Sequence, residues 1–221
     1  MKKSILFMFM LCFTFLMSAQ NDWANFKRYD EANSAIVKAP YAVFMGNSIT
    51  DAWYPNHPGF FDSNNLVARG ISGQVTSQML VRFRKDVINL KPKAVVILAG
   101  TNDIAQNNGL ISLENIMGNL ISMSELAKAH KIKVFLCSVL PVYEYPWKKE
   151  IKDPAKEIKE LNAMIKDYCN KNMCTYVDYY SAMVDERGGL PEKFSKDGVH
   201  PNDAGYQVME EVILKSVLKK K

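Results

Sequence analysis

Histidine is scarce in this chain, with three residues in 221, and cysteine hardly commoner, with four. No C-x-x-C pair occurs and no run of histidines, so a zinc centre built on that spacing finds no support. Charge of one sign is lacking too: 28 Lys and Arg face 23 Asp and Glu, giving +5, and Lys2 and Lys3 supply two of those charges. So small an excess does not argue for nucleic acid as a partner, and the Lys219–Lys221 run reads as a solvated helix end. Internal repeats and low-complexity tracts are absent. No apolar run is long enough for a comfortable membrane span. What remains is an ordinary globular composition, 48% hydrophobic and 23% charged, enough for one sizeable core.

The first residues stand apart from that core. Lys2 and Lys3 precede an apolar run from Ile5 to Met17, which ends in Ser18 and Ala19. This is the layout of a secretory signal over 1–19, followed by a single domain over 20–221. The expectation is export to the periplasm or the extracellular space, with no stable membrane insertion once the signal is cut. Cys12 belongs to that signal. Of the other three cysteines, Cys137 sits in the apolar run KVFLCSVL and reads as a small buried hydrophobe, whereas Cys169 and Cys174 could pair in an oxidising compartment.

Short apolar runs then alternate with longer amphipathic ones. Five strands are expected, over 41–45, 65–70, 93–100, 132–140 and 175–180. The middle ones are apolar at every position, as in a parallel sheet covered on both faces. Helical spacing recurs in Met79, Phe83, Val87; in Ile116, Leu120, Ile121; in Ile158, Leu161, Ile165; and in Met209, Val212, Ile213. An opening helix is expected over 23–36. The alternation predicts an α/β fold with a five-stranded parallel sheet between helical layers. In such sheets ligands bind outside the carboxyl ends of the strands.

Those ends carry the chemistry. The first closes on Gly46-Asn47-Ser48, the second on Gly70, Ser72 and Gly73, the third on Gly100-Thr101-Asn102-Asp103, and a late loop brings Asp197 and His200. Each cluster alone could be a turn or a helix cap. Together they contain every part of an acyl-transfer site. Ser48 is the candidate nucleophile, His200 the base and Asp197 the group that orients its ring. The Ser48 and Gly73 amides and the Asn102 side chain are candidate oxyanion donors. Of the other histidines, His57 lies in a proline-flanked turn and His130 at the end of a helical run.

The blocks GNSIT, RGISGQ, GTND and DGVHPN, in that order, resemble those of the SGNH (GDSL-type) hydrolases over about residues 40 to 207. The G-x-S-x-G turn of the larger α/β-hydrolases is missing. The resemblance implies a flavodoxin-like three-layer α/β/α domain, the same catalytic and oxyanion residues, and no metal or organic cofactor. Asn47 stands where that family usually has Asp. The nearest likeness is to acetylhydrolase-like members. It implies a small-molecule or glycan ester substrate, above all an O-acetylated carbohydrate. Trp53, Tyr145 and Trp147 are expected to line the cleft, with Tyr54 and Tyr143 nearby. A lysophospholipase or thioesterase is the alternative within the family. From other classes come an inactive carbohydrate-binding protein and a metal-dependent phosphoesterase using Asp51, Asp103, Asp197 and His200.

Overall fold

Alternate residues of a strand point to opposite faces, and here both faces are apolar. In a computed structural model describing residues 22–218, all five expected strands form. They are β1 (Ala42–Gly46), β2 (Leu66–Gly70), β3 (Ala94–Leu98), β4 (Lys133–Cys137) and β5 (Thr175–Val177). The order across the sheet is β2-β1-β3-β4-β5, every pair parallel. The signal expected over 1–19 lies outside the described residues.

Val43, Met45, Val95, Ile97, Val134 and Leu136 pack on one face against α4 (Thr76–Asp86), α6 (Leu113–Ala129) and α7 (Pro154–Lys171). Phe44, Val96, Leu98, Phe135 and Cys137 pack on the other. That second layer contains α2 (Ser48–Asn56), α3 (Pro58–Ser63), α8 (Tyr179–Met183) and α9 (Asp203–Ile213). Each large side chain removed from water in this way contributes about 1.5–3 kcal/mol. Among the described residues no helix is long and apolar enough to cross a membrane. The expected opening helix is broken: a 3-10 turn over Phe26–Tyr29 leads into α1 (Asp30–Ser34). Asn25 is left-handed at φ 53° and Asp22 accepts from the Lys27 amide at 3.0 Å, so this segment begins as a capped turn.

The strand order reverses beside β1, which pairs with β2 on one side and β3 on the other, and ligands in such sheets collect at this point. Register brings Gly46 level with Gly70 and Leu98. Two glycines let α2 start there. A Cβ on Gly46 would lie 3.0 Å from the Leu98 carbonyl and 2.9 Å from Thr50 Cβ; one on Gly70 would lie 2.6 Å from the Asn47 carbonyl. The first turn of α2 therefore sits directly on the ends of β1 and β2.

A buried arginine holds these ends. Arg82 lies on the apolar stripe of α4, fully enclosed. It donates to the carbonyls of Gly46 (3.1 Å) and Arg69 (2.9 Å), to Gln74 Oε1 (2.6 Å) and to Asp86 (2.9 Å). Burial pulls its guanidinium pKa down, and the bond to Asp86 opposes that. Replacing Arg82 by Met is expected to destabilise the protein by roughly 3–5 kcal/mol, because Asp86 is left charged and enclosed. Denaturant unfolding of the two proteins measures it.

Candidate active site

Where β1 ends, Asn47 turns the chain and caps α2, its side-chain oxygen accepting from the Ile49 amide at 3.1 Å. Ser48 is the next residue, at the first position of the helix. Its Oγ lies 2.9 Å from Nε2 of His200, and Nδ1 of His200 lies 2.7 Å from Oδ2 of Asp197. The other oxygen of Asp197 accepts from the backbone amides of Val199 (2.9 Å) and His200 (2.8 Å) and from Ser195 Oγ (3.1 Å). Burial alone would raise the Asp197 pKa; the bonds from the His200 ring and these amides outweigh it and bring it to about 2. A charged carboxylate on Nδ1 fixes the tautomer with its proton there, leaving the Nε2 lone pair to accept from Ser48.

Gly73 follows β2 at φ +79°, with open space where a Cβ would be, so glycine is needed there for its backbone angle rather than for room. The loop is held from several directions. Asp51 of α2 accepts from the amide (3.1 Å) and hydroxyl (2.8 Å) of Ser72. Gln74 donates to the Ala24 carbonyl at 2.7 Å, and its own carbonyl accepts from Asn102 Nδ2 at 3.0 Å. That bond orients the Asn102 amide and leaves its second N–H uncommitted. Among the described residues, the Ser48 and Gly73 amides find no protein acceptor.

Thr101 and Asn102 open the short helix α5 (Thr101–Ile104) after β3. Asp103 turns away from the site. Both its oxygens accept from the Thr76 amide at 3.0 Å, and one from the Thr76 hydroxyl at 2.5 Å, capping α4; burial raises its pKa to about 6. Asp51 and Asp103 are thus committed to structural bonds, contrary to the phosphoesterase alternative. Among the described residues no group of three or more His, Cys, Asp or Glu side chains converges as metal ligands.

Two expected cleft residues are corrected. Trp53 is 1% exposed, edge-on to Phe44 and Phe61 and stacked on Tyr206, with its Nε1 donating to Glu210 at 3.1 Å. Five helical residues past Ser48 is about 140° round the axis, which sends the indole into the layer beneath rather than into the cleft. Tyr145 is 0% exposed, and its hydroxyl meets Oγ1 and the carbonyl of Thr101, both at 2.9 Å. It braces the turn after β3. Tyr54 faces a recess with Ala32 and Arg69 instead of the cleft. Trp147 does reach the site: it is 44% exposed, its ring centroid lies 6.1 Å from that of His200, and Nε1 donates to Asn107 at 3.1 Å.

The remaining histidines are occupied elsewhere: His57 Nδ1 meets Glu210 at 2.8 Å, and His130 Nδ1 meets the Leu126 carbonyl at 2.8 Å. Cys137 is buried, and Cys169 and Cys174 are thiols whose sulfurs lie 3.0 Å apart. Sequence reading missed the bracing by Arg82. Its one signal was Arg82 and Asp86 standing four apart on an otherwise apolar helix face.

Fold and site together define a hydrolase of the SGNH type, with a parallel sheet whose carboxyl edge carries a serine, a histidine and an aspartate in contact. The chain belongs to the GDSL-like lipase/acylhydrolase family, whose model matches residues 44–208, and through it to the carboxylic ester hydrolases. A GDSL-like lipase from Bacteroides thetaiotaomicron superposes with TM-score 0.86 at 48% identity, covering 90% of this chain and 99% of that one. An acetylxylan esterase from Geobacillus stearothermophilus shares the fold (TM-score 0.66, 20% identity, 81% and 94% covered). A multidomain esterase of Ruminococcus flavefaciens is 27% identical over 180 residues, 80% of this chain and 22% of that protein. The chain spans between about a fifth and under a half of the curated relatives it matches.

The depressed pKa of Asp197 carries a consequence for acid stability. A folded value near 2 against 3.8 for the free group means the charged carboxylate stabilises the fold above about pH 4. That contribution is lost as pH falls from 4 towards 2. The melting-temperature difference between wild type and Asp197→Asn is therefore expected to be largest near pH 6 and to shrink to about a third of that by pH 2.5.

Proposed function

We propose that this chain is an exported serine esterase that removes O-acetyl groups from carbohydrate. The observation that carries the reading is the unbroken Ser48–His200–Asp197 contact at the carboxyl edge of the sheet, with distances of 2.9 and 2.7 Å. His200 takes the Ser48 proton through Nε2 as Oγ attacks the ester carbonyl. The Ser48 and Gly73 amides and the free N–H of Asn102 receive the oxyanion. The alcohol leaves with the proton from His200, and water, activated by the same nitrogen, releases the acid from Ser48. Asp197 stays ionised throughout and steadies the imidazolium. The exposed Trp147 face beside His200 suits a sugar ring, and the fold is shared with acetylxylan esterases. Export rests on the charged-then-apolar layout of residues 1–19.

Ser48→Ala is expected to lower kcat on p-nitrophenyl acetate by on the order of 10^4-fold or more. Asn102→Ala is expected to cost about 10^2- to 10^3-fold with little change in KM, as for any donor engaged only in the transition state. Rates across p-nitrophenyl acetate, butyrate and octanoate should fall with chain length. A rise with chain length would favour a lysophospholipase, and wild-type turnover by Ser48→Ala would remove the serine mechanism.

A further inference from the structure

Beside the candidate active site lies a recess of about 130 Å3, bounded by Tyr143, Glu144, Arg187, Leu190, Asp197 and Gly198. Its wall includes Asp197, the partner of His200. We propose that this recess is a subsite for one neutral sugar unit of the substrate, next to the unit that bears the ester. The proposal rests on the carbohydrate reading of the site.

The walls are built rather than incidental. Tyr143 is 52% exposed, and the Arg187 guanidinium lies 5.3 Å from the centroid of its ring. Arg187 is itself fixed by Asp185, through Nε at 3.2 Å and Nη2 at 2.9 Å. Asp185 also accepts from the amides of Arg187 and Gly189, both at 2.9 Å, and its own amide donates to the Gly189 carbonyl at 2.9 Å, so the turn over 185–189 is closed on itself. A Cβ on Gly189 would stand 2.8 Å from Tyr143 Cβ and 3.1 Å from its amide nitrogen, so the two segments touch through their backbones. Tyr143 and Arg187 therefore keep their relation without a ligand, which lowers the ordering cost of binding.

The lining selects the occupant. Tyr143 offers apolar surface above the buried Leu190, Arg187 offers the nitrogen not bound to Asp185 as a donor, and Glu144 offers acceptors. A pyranose has this mixture of apolar C–H faces and rim hydroxyls. A long acyl chain would strand the charged groups without water. A uronic acid would meet two carboxylates, while the one guanidinium is already paired.

Tyr143→Ala and Arg187→Ala test this. Both are expected to leave kcat/KM on p-nitrophenyl acetate within about twofold and to raise KM for acetylated xylotetraose about tenfold, the scale of one lost aromatic contact. Calorimetric or NMR titration with unacetylated xylotetraose reads the subsite without turnover. Its binding should weaken by a similar factor in both variants and exceed that of a tetrasaccharide bearing a uronic acid. Unaltered KM and binding in both variants would overturn the subsite and leave the esterase reading standing. Preference for the acidic tetrasaccharide would overturn it as well. A wild type that cleaves p-nitrophenyl acetate but neither binds nor deacetylates the neutral tetrasaccharide would remove the carbohydrate reading together with the subsite.

Discussion

The enclosed guanidinium of Arg82 is the constraint on which the rest of the site depends. Four of its five donors, held in a fixed plane, meet two backbone carbonyls at the ends of β1 and β2, one side-chain amide and one carboxylate. Those carbonyls belong to the glycine that precedes Asn47-Ser48 and to the arginine that precedes Gly70. Ser48 and the Gly73 loop are thus tied to one group in the opposite layer. Gln74 extends the tie to Asn102 through its carbonyl. Buried charge is costly, and here its hydrogen bonds specify where three strand ends meet.

Around that brace the polar groups divide their labour. Asp51 secures the Ser72 loop, Asp103 caps α4 through Thr76, and Tyr145 holds Thr101. Asp51 and Asp103 lie within a few residues of candidate catalytic groups, and Tyr145 bonds the residue before Asn102, yet all three are committed to structural bonds. Asn47, in place of the family's usual Asp, caps α2 with a neutral amide. The cap bond to Ile49 is kept while a negative charge is withheld from the turn whose amide would face an oxyanion.

Most of the architecture could be read from the sequence because it rests on period and position. The apolar runs of β1, β3 and β4 mark strands covered on both faces, and the small polar residues after them mark the functional edge. The grouping of Ser48, His200 and Asp197 as candidates was legible because only three histidines compete, and one has an aspartate three residues before it; the structure brings the three into contact. Trp53 and Tyr145 misled because aromatic character does not reveal direction: helical phase sends one inwards, and the Thr101 hydroxyl draws the other under a loop. Arg82 was hidden by the convention that charge lies outside. Two of its four partners are backbone carbonyls, which leave no trace in side-chain spacing.

Ser48 and His200, the candidate nucleophile and base, are 152 residues apart in the chain and meet between α2 and the loop before α9. Near-neighbour structure cannot bring them together. Both halves of the sheet and the second helical layer must be in place first, and Trp53, His57, Tyr206 and Glu210 lock that layer from beneath. The Ser48–His200 contact is therefore all-or-none with respect to completion of the tertiary structure. A chain still being synthesised, with the loop that carries His200 not yet made, holds no paired serine and histidine.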